Sequence, residues 1–165
     1  AIYQLTGDAK GRILPNKKVK DQLSSFTPQK KLEDDIKTFY DIVENVEVYN
    51  KNKNTKSLYD LSAIGLLYYW GDTIGLTKMG REYARRVDDI DFKKEFCELA
   101  KRPYKINKAV EIIKDKNIKN ITEFKAESKE LVENINSKEY KKASYGKIYN
   151  WAKFIIENSY GRDKL

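Results

Sequence analysis

Any chemistry in this 165-residue chain is done without histidine, because the sequence has none. A histidine general base, a Ser-His-Asp triad and a His-bearing zinc site are therefore excluded. The only cysteine, Cys97, rules out an intrachain disulfide and fits a reducing, cytoplasmic setting. Carboxylates are the remaining catalytic option. Asp115 with Glu123-Phe124-Lys125 has the letters of a magnesium nuclease site, in which acids and a lysine surround the ion that activates water. That chemistry wants the Glu-x-Lys on a strand beside an acid-bearing turn, whereas this triplet falls in a helical segment that Thr122 can cap. Neither a catalytic residue nor a metal ligand is expected. Glu33-Asp34-Asp35 reads as solvated charge at the positive end of a helix.

Cations and hydroxyls make the stronger pattern. Lys and Arg number 33 against 25 Asp and Glu, a formal charge of +8. A·T-rich coding would also enrich Lys and Asn, as in Asn50-Lys51-Asn52-Lys53-Asn54. The charge is unevenly spread, however: residues 136–165 hold seven Lys or Arg and three Asp or Glu, and residues 1–20 hold five against one. Residues 88–135 balance at eleven each. Concentration of charge at the two ends points to a polyanionic partner. Lys56, Ser57, Tyr59, Asp60 and Ser62 on one short helix could reach phosphates and base edges, and Lys141, Lys142, Ser144, Tyr145, Lys147 and Asn150 on the last helix repeat the offer. Lys10, Arg12, Lys17, Lys18, Arg85 and Arg86 are candidate phosphate contacts. The 12 tyrosines could instead form a stacking surface for single strands, but most fall at helical spacings among apolar neighbours and read as core. Tyr68, Tyr69 and Trp70 are the exceptions.

The elements that position these groups follow from spacing. With 3 Pro and 8 Gly, the chain reads as mainly α with one small β hairpin. A short helix spans 18–25. A long one spans 29–49, started by Thr27 and Pro28, with Leu32, Ile36, Phe39, Tyr40, Val43 and Val46 on its inner stripe. Ser57 caps a short helix carrying Leu58, Leu61, Ile64 and Leu67. Residues 66–70 and 74–77 then alternate as two strands around Gly71-Asp72-Thr73. Thr77 caps a helix over 78–86, and Asp88 to Asp91 open another that carries Phe92, Phe96, Leu99 and Ala100. Pro103 divides a first module, 1–102, from a second, 103–165. The second contains helices over 106–116, 122–135 and 142–159. No apolar run approaches the roughly 20 residues of a membrane span, and no charged-then-apolar leader opens the chain, so a soluble protein is expected. The start at Ala1 suggests a piece of a longer polypeptide.

Helix, loop, short helix, hairpin, helix is the order of a winged-helix module. Ala63-Ile64-Gly65-Leu66-Leu67-Tyr68 followed by Leu76-Thr77-Lys78-Met79-Gly80-Arg81-Glu82-Tyr83-Ala84 resembles the wing region of winged-helix domains in the DNA-recognition regions of type II restriction endonucleases of the FokI type. The segment from Leu99 through Pro103 to Ile113, with the Tyr145 to Trp151 helix, is similar to the continuation there, where one such unit follows another. The likeness spans roughly residues 57 to 155. The second unit has no wing signature, and the cleavage domain has no counterpart. The resemblance implies tandem winged-helix or helix-turn-helix modules that bind double-stranded DNA without catalysis. Magnesium would belong to a separate cleavage domain or partner subunit, and this chain would need no cofactor. The alternative is a winged-helix protein-interaction or oligomerisation module that leaves DNA alone.

Overall fold

The computed structural model describes residues 23–50, 52–70 and 73–160. Its elements run α1 (Leu32–Glu44), α2 (Thr55–Ala63), β1 (Leu67–Trp70), β2 (Thr73–Leu76), α3 (Lys78–Ala84), α4 (Phe92–Ala100), α5 (Tyr104–Asp115), α6 (Ile121–Glu127) and α7 (Lys138–Ile155). A 3₁₀ turn, Lys129–Leu131, precedes α7 and a π-helical turn, Ile156–Tyr160, follows it. The protein is thus mainly helical with one small antiparallel sheet, paired Leu67 to Leu76 and Trp70 to Thr73. Of the helix expected over 18–25, only Leu23 to Ser25 lie among the described residues, where they are helical. The hairpin turn at Gly71 and Asp72 and the side chains of Tyr69 and Trp70 lie outside the described set.

The helix expected over 29–49 is shorter at both ends, and its start is explained by contacts from distant residues. The Gln29 and Lys30 amides donate to the Asp60 carboxylate. The Leu32 amide donates to Asn150 Oδ1 at 3.0 Å, and the Lys30 carbonyl accepts from Trp151 Nε1 at 2.7 Å. These bonds hold residues 29–31 outside the helix. Thr27, expected to help start it, instead accepts from Lys105 Nζ at 2.6 Å. Leu32, Ile36, Phe39 and Ile42 form the buried stripe, while Tyr40 lies at the surface.

Leu-Thr-x-x-Gly proves to be a joint. Thr77 Oγ1 caps α3 by accepting from Gly80 N at 2.9 Å and donates to the Gly65 carbonyl, while the Thr77 amide donates to the Leu66 carbonyl at 3.1 Å. Gly65 ends the α2 segment at φ 96°, a left-handed backbone that favours glycine. A Cβ at Gly80 would collide with the Leu66 carbonyl oxygen. The motif therefore fastens α2, the hairpin and α3 together.

Further expectations are corrected, among them the Ser57 cap, since α2 starts at Thr55 after Asn54 and Ser57 lies inside it. The helix expected over 122–135 stops at Glu127, since the Ser128 hydroxyl bonds back to the Phe124 carbonyl and the chain turns into the 3₁₀ segment. Its cap is Asn120 rather than Thr122: Asn120 Oδ1 accepts from Glu123 N at 3.0 Å and Glu123 Oε2 accepts from Lys119 N at 2.6 Å. The last helix begins at Lys138, earlier than the expected Lys142, because Ser137 supplies its cap.

One hydrophobic cluster runs through the described residues on both sides of Pro103. It joins Phe39, Phe92 and Phe96 to Ile106, Ala109, Ile148 and Trp151. Within it Phe39 lies 6.1 Å from Phe92 and 5.9 Å from Phe96, centroid to centroid.

Candidate nucleic-acid interface

α2 and α7, which carry the two cationic faces read from the sequence, border one groove of about 440 Å³. Lys56 comes from α2; Tyr140, Ala143, Ser144 and Lys147 come from α7. The third wall is the non-helical segment Thr27 to Lys30, held by Asp60 and Trp151 as described above, with Ile135 closing one side. Lys30, Lys56 and Lys147 thus reach one concavity from positions far apart in the chain, and among the described residues none of the three forms an ion pair.

Not every expected group faces outward. Ser57 is 1% exposed, because Leu58, Asp60 and Leu61 beside it share its inward face. Asn150 is half-buried, and its Oδ1 is committed to the Leu32 amide. Tyr145 is half-buried and packs edge-on against Phe124 at 6.4 Å; burial first, and the nearby Glu130 charge second, push its hydroxyl pKa up. Asp60, expected on the outer face of α2, is fully buried, and Ser62 is half-buried. Lys56, Tyr59, Arg85 and Lys142 are exposed, whereas Lys141 and Lys147 are half-buried. Arg86 is bound to Glu95 at 2.6 Å and lies over the Tyr83 ring at 4.8 Å. Lys10, Arg12, Lys17 and Lys18 lie outside the described residues.

Behind the groove wall lies a pair of carboxyl groups that the sequence did not reveal. Asp35 of α1 and Asp60 of α2 are both 0% exposed. Neither Asp35 carboxyl oxygen has a hydrogen-bond partner by geometry, and only the Ser57 hydroxyl nearby favours its charged form. Burial, reinforced by the adjoining Asp60, raises its pKa far above the carboxylate range, so Asp35 keeps its proton. Asp60 is also raised by burial. The Asp35 proton, the Gln29 and Lys30 amides and the Lys147 charge pull it back down, and it carries the pair's negative charge. Asp35 was read from sequence as solvated helix charge. The correction has a simple cause, for Asp35 adjoins Ile36 on the buried side of α1.

Lys30, Thr27 and Tyr140 were also missed. The first two sit in a stretch read as the start of a helix, and Tyr140 precedes the expected start of the last helix. A further cation, Lys105, sits behind Thr27; burial lowers its pKa. Among the described residues no group of three or more Cys, Asp or Glu side chains could hold a metal ion. The Glu123 carboxylate is engaged in its helix cap. No described helix is long and apolar enough to cross a membrane. Comparison with known protein families, curated proteins and solved structures finds no match to this chain.

Proposed function

We propose that this chain binds double-stranded DNA, without catalysis of its own, as the sequence-recognition part of a type II restriction endonuclease. One observation carries the reading: Lys30, Lys56 and Lys147, drawn from three separate segments, converge on a single groove, and none of them forms an ion pair among the described residues, the buried Asp60 acting on Lys147 only from a distance. Cations gathered in a concavity focus a positive potential that a phosphate backbone can neutralise. In this reading α1, α2, the hairpin and α3 are a winged-helix module with α2 as its reading helix, and α5 to α7 are a second, wingless helix-turn-helix module. Because α2 and α7 share a groove, they address one stretch of duplex together. Lys142 and Arg85, exposed beyond the groove, extend the phosphate contacts. The protein works in the cytoplasm, and cleavage with its magnesium belongs to a separate domain or partner subunit.

Fluorescence anisotropy with a random-sequence duplex tests this. Binding is expected at micromolar protein and moderate salt, with log affinity falling linearly against log salt. Lys56→Ala and Lys147→Ala should each shallow that slope by about one unit. Absence of binding under these conditions would overturn the reading and favour a protein-interaction module. Selection of bound duplexes from a random pool then yields a consensus if the binding is sequence-specific.

A further inference from the structure

We propose that the groove between α2 and α7 is a seat for one unstacked nucleotide, so that the protein grips a nucleotide displaced from the duplex it binds. The inference rests on the DNA-binding reading and specifies what fills the site.

The lining has the two characters that a nucleotide needs. Pro28, Ile135 and Ala143 give the groove apolar walls, and the Tyr140 ring, 72% exposed, stands on its rim where a base can stack. Lys30, Lys56 and Lys147 supply cations for the adjoining phosphates. Ser144 is only 8% exposed, lines the groove, and has no hydrogen-bond partner among the described residues. A hydroxyl so placed can donate to and accept from a base edge. A lone phosphate would leave the apolar walls and most of the 440 Å³ unfilled, whereas a paired, stacked base cannot leave the helix to enter a side groove without unstacking. Asp60 lies behind the wall with its charge directed to the Gln29 and Lys30 amides, and the neutral Asp35 adds none, so the cations outnumber the acid there.

The test compares three duplexes of one sequence by anisotropy: fully paired, with a single-nucleotide bulge, and with an abasic bulge. The base-bearing bulge should bind at least about fivefold tighter than the other two, the low end of what one stacked base contributes. Tyr140→Ala removes the stacking ring from an exposed position, and Ala143→Leu fills the groove from an exposed helix site. Each should abolish the preference, so that the variant binds all three duplexes with one affinity, whatever the change in its binding to the paired duplex. Equal binding of all three duplexes overturns the nucleotide seat and leaves the DNA reading standing. Failure to bind any of them overturns both. A preference that survives both substitutions places the unstacked nucleotide elsewhere and also overturns the proposal.

Discussion

The indole of Trp151 donates its Nε1 hydrogen to the main-chain oxygen of Lys30 at 2.7 Å, across 121 residues of sequence. With the neighbouring Asn150 bond to the Leu32 amide, it pins the wall of the cationic groove to α7. Trp151→Phe keeps most of the ring in the core but leaves the Lys30 carbonyl without this donor. A loss of about 1–3 kcal/mol is expected, read as a lower urea midpoint with an unchanged m-value. Duplex affinity should fall with it, because Lys30 is no longer held. A variant as stable as the parent would show that water replaces the indole at no cost.

Gly80→Ala should be among the most damaging single-methyl changes in the protein. The added carbon meets the backbone oxygen of Leu66, which a rotamer change cannot move aside. Destabilisation of about 1–3 kcal/mol is expected. Thr77→Val, which keeps the side-chain shape but removes the cap and the bond to Gly65, should cost about 1–2 kcal/mol. Thermal melts of the two variants check both values.

Asp35 gives the fold a pH signature. Its folded pKa lies above its unfolded value, so its contribution to stability is fully present below the unfolded pKa and is lost as pH rises toward the folded one. Asp35→Asn keeps a donor toward Asp60 without an ionisable proton. Relative to this variant, the parent should lose stability by up to about 1.4 kcal/mol per pH unit above pH ~4. Denaturation series from pH 4 to 8 should show the variants diverging in that direction. Parallel profiles would mean that Asp35 ionises in the folded protein.

Arg85 and Arg86 are adjacent in sequence but differ in surroundings. Arg86 is held by Glu95 and the Tyr83 ring, whereas Arg85 is exposed. Arg85→Ala should weaken duplex binding and shallow its salt dependence while leaving stability unchanged. Arg86→Ala should cost up to about 1 kcal/mol of stability, as expected for a half-exposed ion pair, with the smaller effect on binding. The reverse ranking would move the phosphate track to the other arginine.

Local rules carried the sequence reading a long way. Thr77, Gly80 and the alternation from Leu67 to Leu76 state the α2–hairpin–α3 joint in short-range terms, and the structure adds only the Leu66 oxygen that makes the glycine necessary. Phe92, Phe96, Leu99 and Ala100 fall inward as their spacing requires. Misreadings occur where distant groups override local preference. Residues 29–31 have no local reason to stay outside the helix, since the carboxylate and indole that hold them are far along the chain. Charge alone cannot say that Asp35 and Asp60 face each other inside, because an acid near a helix start normally faces water. That Lys56 and Lys147 lie on helices was legible; that these helices border one groove was not, for that depends on how α7 crosses the first half.

The tie between Lys30 and Trp151 also sets the order of events during folding. Closing a loop of that length carries an entropic cost that local helices and the hairpin avoid. The cationic groove is therefore a late product, assembled only when α7 docks, although its nearest wall lies in some of the first described residues of the chain.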